Sequence, residues 1–357
     1  GYAGFGGGVS TLLTLASGEI TYVDDIFSTF LYDGNGGTQT ITNGIDLDGK
    51  GGLVWIKARD DTGFGHQLYD TKRGTASNLS SHTNSAAGST SSRVTSFNSN
   101  GFDLGANGAT NDSLKTYASW TFRKCRGFCD VVTYTGNGTA GLSIPHNLGS
   151  VPGCILVKNV SRAGTDWRVW HRSLTSNSYT LQLNTTAAEI NSGTGSWNNT
   201  APTSTNFTVG GDFDVNYNGD THVAYIFAHN DGSFGEDSDE AVIKCGSYTA
   251  TGSTGLFVDL GFEPQFLIIK KTSGTEDWHI FDNMRGVVNG GDDTPLKANN
   301  HYNENTAGVT EYIKFTPRGF EVDATTSPVG SNGNTYIYIA IRRGGHKQPE
   351  AATEVFH

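Results

Sequence analysis

The groups in this sequence with chemistry to offer are ten histidines, several acidic clusters, four cysteines and a set of aromatic residues. His66, His146, His171, His222 and His279 could serve as general bases. A base needs a nucleophile beside it, and no Gly-x-Ser-x-Gly turn or comparable nucleophile context accompanies them. A Ser/His/Asp triad assembles only in space, so the sequence leaves it open. Carboxylates cluster at Asp60-Asp61, in the run Glu236-Asp237-Ser238-Asp239-Glu240 and at Asp292-Asp293. Paired carboxylates hydrolyse glycosides or hold calcium. None has the spacing of an EF-hand loop, and the run after Asp231 reads as a solvated linker, with calcium as the alternative. Cys125 and Cys129 form one close pair without a second, whereas zinc wants four near ligands. With Cys154 and Cys245 they read as free thiols of a chain folded in a reducing cytoplasm.

The aromatics carry the more specific expectation. Tyr69, Trp167, Trp170, Trp197 and Trp278 present ring faces suited to the C–H faces of sugars. Tyr69, Trp170 and Phe281 recur at one position of a repeat and read as core. Trp167 and Trp278 align with His66, which leaves room for exposure. Trp197 sits in a Gly-Ser-Trp-Asn-Asn loop with no counterpart. His171 falls on an outward strand position aligned with Asp70 and Asp282. The expected ligand-binding residues are therefore Trp197, Trp167, Trp278 and His171, with no catalytic residues, no metal ligands and no cofactor.

What must position these groups is a pattern that the chain states three times. Gly-Leu-Val-Trp-Ile-Lys57, Cys-Ile-Leu-Val-Lys158 and Phe-Leu-Ile-Ile-Lys270 open the three statements, each followed by a second aromatic strand. Each copy starts on an aromatic strand with a Gly-rich turn: Tyr32-Asp-Gly-Asn-Gly36, Tyr134-Thr-Gly-Asn-Gly138 and Tyr248-Thr-Ala-Thr-Gly252. Each ends on a closing strand: Tyr117–Phe122, His222–Phe227 and Tyr336–Ile341. The period of about 110 residues is the length of a small domain, far beyond a solenoid unit. Short runs of Val, Ile, Thr, Tyr, Phe and Trp bounded by Gly, Asn, Asp and Ser are strand signatures. In Trp167-Arg-Val-Trp170 and Trp278-His-Ile-Phe281 every second residue is apolar, which predicts one face on a core and one in water. Leu267-Ile268-Ile269 is apolar on both faces and predicts a covered central strand. Ala187-Ala188-Glu189-Ile190 is the best candidate for a helical turn. The fold class expected is all-β: three tandem antiparallel β-sandwich repeats of jelly-roll or lectin-like type. The boundaries are a Gly-rich arm over 1–24, repeats over 25–128, 129–240 and 241–345, and a tail over 346–357.

Composition narrows the partners. The formal net charge of −11 argues against nucleic acid, because phosphate neutralisation needs a basic surface. No segment approaches the roughly 20 apolar residues of a membrane-spanning helix, so no membrane insertion is expected. The arm reads either as disordered or as a segment that docks on a neighbour.

The run Ile144-Pro-His-Asn-Leu-Gly-Ser-Val-Pro-Gly-Cys-Ile-Leu-Val-Lys-Asn159, followed by Asp166-Trp-Arg-Val-Trp-His171, resembles a repeat of tailed-bacteriophage structural proteins from phages of marine bacteria and cyanobacteria. Asp24–Tyr32, Gly51–Lys57 and Tyr117–Lys124 are similar to the first copy in such proteins. The resemblance covers most of residues 24 to 343. It implies a tail fibre-like structural component of the virion, with no cofactor and no catalytic residues. The short Gly-rich leader departs from a long trimeric shaft. The expected partners are thus other virion proteins and copies of the chain itself, as a homo-oligomer such as a trimer, together with host-surface glycan. The expected location is the virion, assembled in the host cytoplasm and then extracellular. Three alternatives stand beside glycan attachment: a capsid or tail decoration protein with a pure assembly role, a polysaccharide depolymerase, and an extracellular filament subunit that donates its arm as a strand.

Overall fold

The computed structural model describes residues 20–235, 238–287, 293–304, 312–326 and 328–344. Most of the predicted arm and the whole predicted tail lie outside the described residues, as do Glu236, Asp237 and Asp292. The described residues are all-β, with six antiparallel sheets among them. The first large sheet runs Phe27–Asp33, Thr116–Arg123, Gly52–Ala58, Gln67–Asp70, Gly74–Leu79, Gly88–Ser89 in spatial order. The second runs Cys129–Thr135, Thr221–Phe227, Cys154–Asn159, Arg168–His171, Tyr179–Gln182, Ile190–Asn191. The third runs Ile243–Thr249, Thr335–Arg342, Pro264–Lys271, Trp278–Asp282, Leu296–Lys297. In each, the closing strand lies between the opening strand and the lysine-bearing strand. Three smaller sheets accompany them, centred on Gly101–Leu104, Asn206–Val209 and Gly319–Val322.

The Gly-rich turn after each opening strand has a backbone reason. Gly36, Gly138 and Gly252 adopt φ of 68°, 69° and 70°, a left-handed conformation that glycine enters without steric cost. Asparagines then pin two of these turns: Asn111 Oδ1 accepts the Asn35 amide and Asn216 Oδ1 accepts the Asn137 amide, both at 2.8 Å.

The lysine-bearing strands are covered on both sides, as Leu267-Ile268-Ile269 predicted. Along Gly52–Ala58, Val54 and Ile56 face the core shared with the first small sheet. Leu53 and Trp55 face the opposite way, into a cluster shared with the other two large sheets. Likewise Leu267 and Ile269 face the third small sheet, while Phe266 and Ile268 join the common cluster. In the second large sheet, Cys154, Ile155, Leu156 and Val157 all belong to the common cluster. The three large sheets therefore turn their outer faces toward one central core. Phe27, Phe122, Phe128, Phe227 and Phe266 meet there, with ring centroids 5.0–6.4 Å apart where they touch. Full burial of such a ring stabilises by roughly 1.5–3 kcal/mol.

Two local expectations are corrected. The strands at Arg168–His171 and Trp278–Asp282 do not present a wet face: Trp278–Asp282 is buried throughout, and in the other only Arg168 is partly exposed. The central core takes the face that alternation assigned to water. Ala187–Ile190 is not helical. Glu189 is held extended, its amide donating to Thr272 O at 3.0 Å and its carboxylate accepting from Thr175 N at 3.1 Å. Ile190–Asn191 instead pairs with Tyr179–Thr180. Single helical turns form at Gly108–Asn111 and Phe213–Asn216, where Asn107 and Asp212 side chains cap the first amides.

Candidate functional site

The residues expected to meet a ligand are buried instead. Trp167 is 0% exposed, and Trp197, Trp278 and His171 are each 1% exposed. Tyr69, Trp170 and Phe281 are core, as expected. Trp197 packs into the common hydrophobic cluster; for Trp167, Trp278 and His171 the reason is a set of contacts that links the three large sheets in a closed ring. Registers place Leu79, Leu181 and Leu296 at one equivalent position, opposite Leu68, Val169 and Ile280. The carbonyl of the next residue is the acceptor in all three copies. Trp167 Nε1 donates to Ser80 O at 3.0 Å, Trp278 Nε1 to Gln182 O at 2.9 Å, and His66 Nε2 to Lys297 O at 2.9 Å. His66 can donate there because its Nδ1 accepts from Trp55 Nε1 at 2.8 Å, which fixes the tautomer. The second segment thus leans on the first, the third on the second, and the first on the third.

A second ring of contacts has the same sense. Tyr225 OH donates to Asp70 Oδ2 at 2.8 Å, and Trp120 Nε1 donates to Asp282 Oδ2 at 3.0 Å. At the remaining junction Ile339 has no polar atom to give, and His171 Nε2 bonds the neighbouring carbonyl, Tyr338 O, at 3.1 Å. Asp70 and Asp282 are each closed by an arginine three residues on, Arg73 and Arg285, at 2.6 Å. In the second copy His171 and Leu174 stand in those places, so the buried strut itself has no ion pair. So His171 is a neutral strut, and burial lowers its pKa to about 3.

The other candidate bases are buried too. Burial lowers the pKa of His66, His146, His222 and His279 as well, to about 4 at His222. The recurring lysines are wholly buried staples. Lys57 Nζ donates to Ala58 O and Asp61 O, Lys158 to Asn159 O and Thr165 O, and Lys270 to Lys271 O and Thr186 O. Desolvation lowers each to about 8. Asp293 Oδ2 accepts from the Tyr312 and Ile313 amides at 2.7 and 2.8 Å, so it organises a strand end. All four cysteines are free thiols, and burial pushes their pKa values up.

Among the described residues, Glu276, Asp277 and His279 are the one group whose ligand atoms converge within 4.8 Å. Both Asp277 oxygens are already engaged, Oδ2 by Lys297 Nζ at 2.7 Å and Oδ1 by Asn299 Nδ2 at 2.7 Å.

Among the described residues, three grooves are open to a ligand: one of about 410 Å³ lies within the third segment, lined by Phe262, Glu263, Arg342 and Arg343, and two lie at junctions. A groove of about 520 Å³ runs along the free edge of the third large sheet, between Ile243–Thr249 and Leu256–Asp259, and reaches Arg172 and His229 of the second segment. A second groove of about 400 Å³ occupies the corresponding place between first and third segments, along Phe27–Thr29 and against Asn283 and Met284. Sequence reasoning did not single these out, because their residues are ordinary strand ends and turns. The signal available was departure from the repeat. Arg172 replaces Thr71 and Asn283, Lys244 replaces Ser28 and Asp130, and Phe257 replaces Thr40 and Ser143 at equivalent register positions.

Against known families, a model described as "Domain of unknown function (DUF7483)" matches residues 23–343. No curated protein matches the chain.

Proposed function

The chain belongs to the family described as a domain of unknown function (DUF7483), and from that premise we propose that it is a structural virion protein of a tailed bacteriophage. On this reading it consists of three tandem β-sandwich repeats of jelly-roll, lectin-like type, stands on the particle surface and attaches to host glycan without enzymatic action. The observation that carries the reading is the fate of the chemistry-bearing residues. His66 and His171, the junction tryptophans and the recurring lysines serve as struts, and the space left for a ligand is shallow, open and polar, as a saccharide site is. A preassembled set of repeats also suits multivalent attachment, which gains roughly 10²–10⁴ over one contact when several sites engage together. The test is a panel of bacterial surface polysaccharides probed with the purified chain. Retention by a defined subset, without release of reducing ends, is expected. Failure to bind any of them would refute attachment, and release of reducing ends would make the protein a depolymerase.

A second reading rests on the ring itself. Three equivalent junctions closing on one another give a single chain approximate threefold character, which fits a threefold position on a capsid or tail as a decoration protein. A cryo-EM map of particles carrying the protein separates the two. Burial of the grooves between neighbours favours decoration; grooves facing solvent favour attachment. The filament alternative depends on the arm, whose first 19 residues lie outside the described structure.

A further inference from the structure

The three junctions are built alike, yet one of them has been given a different chemistry. We infer that the groove between the second and third segments binds an acidic saccharide, with Arg172 and Lys244 taking its carboxylate and Phe257 stacking on its ring. The inference rests on the glycan-attachment reading and names the ligand class for it.

Charge is the first argument. The whole chain is strongly acidic, at a formal net charge of −11. This groove nonetheless carries Arg172 and Lys244. Arg172 is exposed and makes no ion pair among the described residues. The one carboxylate in the lining, Asp259, is already engaged: its Oδ2 accepts from Arg318 Nη2 at 2.9 Å and its Oδ1 from the Gly261 amide at 2.9 Å. Lys244 Nζ reaches only the Asp259 backbone carbonyl, at 3.1 Å. An unpaired guanidinium at an open groove is a fork matched to a carboxylate.

Shape and surface are the second. The volume of about 520 Å³ falls within the range of small-molecule sites and suits one or two sugar rings. Phe257 is 46% exposed on the edge strand of the small sheet, where its ring is available to the groove. Sugars present C–H faces to such rings. The strand Ile243–Thr249 pairs on one side only. Its outer edge is taken near the start, where Ile243 O accepts from Asn230 N at 2.8 Å and the Cys245 amide donates to His229 Nδ1 at 3.2 Å. Beyond that, Ser247 and Thr249 are exposed in the groove wall and offer hydroxyls to sugar hydroxyl groups.

The equivalent groove between first and third segments is the internal control. Its lining includes Asn283 where Arg172 would be and Ser28 where Lys244 would be, and its only charged residue is Asp24. Of these two grooves, only the one between second and third segments carries basic side chains.

The experiment compares an oligogalacturonate with its fully methyl-esterified form, which keeps the backbone and loses the charge, and with polyglutamate, which keeps the charge and loses the sugar. Binding to the full chain is read by calorimetry. Tighter binding of the acid than the ester, roughly tenfold or more, is expected for one charge-assisted contact, and it should weaken with added salt. Arg172→Thr and Phe257→Ser install the residues of other junctions and should each reduce the affinity about tenfold, while the folded state is unchanged by circular dichroism. Equal binding of acid and ester, insensitive to Arg172→Thr, overturns the acidic-ligand inference and leaves glycan attachment standing. Equal binding of polyglutamate shows a general anion site and also overturns it. Binding of none of the three overturns it as well; attachment then falls only if the polysaccharide panel is also negative.

Discussion

Asp282 and Arg285 offer the sharpest test of how the three segments are held together. Both are buried, at 1% and 6% exposure. Asp282 Oδ2 accepts from Arg285 Nε at 2.6 Å and from Trp120 Nε1 of the first segment at 3.0 Å. Its Oδ1 accepts from the Arg285 amide at 2.9 Å. Asp282→Asn keeps the volume and an acceptor but leaves the guanidinium without its carboxylate, facing Glu304 at 3.3 Å. Removing one member of a buried pair costs about 3–5 kcal/mol, and because Glu304 still compensates part of the Arg285 charge, the loss should lie at the lower end of that range. Removing both members is often close to neutral. The protein already contains that solution, since the second copy has His171 and Leu174 in these places. Asp282→His combined with Arg285→Leu should therefore recover most of the loss, to within about 1 kcal/mol of the parent. Glu304 stays satisfied in that variant by Arg59 at 2.9 Å. Urea unfolding followed by tryptophan fluorescence measures all three proteins. A loss below about 1 kcal/mol for Asp282→Asn, or a double variant as unstable as the single one, would refute the argument that the junction is governed by charge pairing.

Trp197→Ala should act as a core truncation, costing about 3–5 kcal/mol, and leave ligand affinity per folded molecule unchanged; urea unfolding alongside calorimetry checks this. The buried lysines predict a pH dependence. With Lys57, Lys158 and Lys270 lowered to about 8 from 10.5, the unfolded chain holds more protons than the folded one between those values. Their contribution therefore rises with pH across that window and is a cost below it. Lys158→Met removes one of the three, so the parent should gain stability relative to it as pH is raised from about 7 to about 9; parallel curves would contradict the assignment. Thiol labelling should reach Cys125 first, because it is only half-buried, while Cys129, Cys154 and Cys245 should react on the timescale of unfolding, which a disulfide-exchange reagent with and without urea resolves.

Much of the fold was legible in the residues. Periodic Val, Ile and aromatic runs, turn glycines at φ near 70° and recurring Lys57, Lys158 and Lys270 marked the strands and their threefold recurrence, because strand pattern and turn conformation are local properties. Tyr69, Trp170 and Phe281 were readable as core for the same reason. The sequence left open which way Trp167, Trp278 and His171 face. Alternation assigns two faces to a strand but cannot tell water from a neighbouring sheet. Only the closing of the three segments on one another fills the second face, and that closure depends on partners 87 to 167 residues away, such as Ser80, Gln182 and Tyr338. The same closure creates the junction grooves, where Arg172, Lys244 and Phe257 come together from separate strands. Their types were in the sequence from the start; their proximity, which is what chemistry acts through, was decided by the tertiary structure.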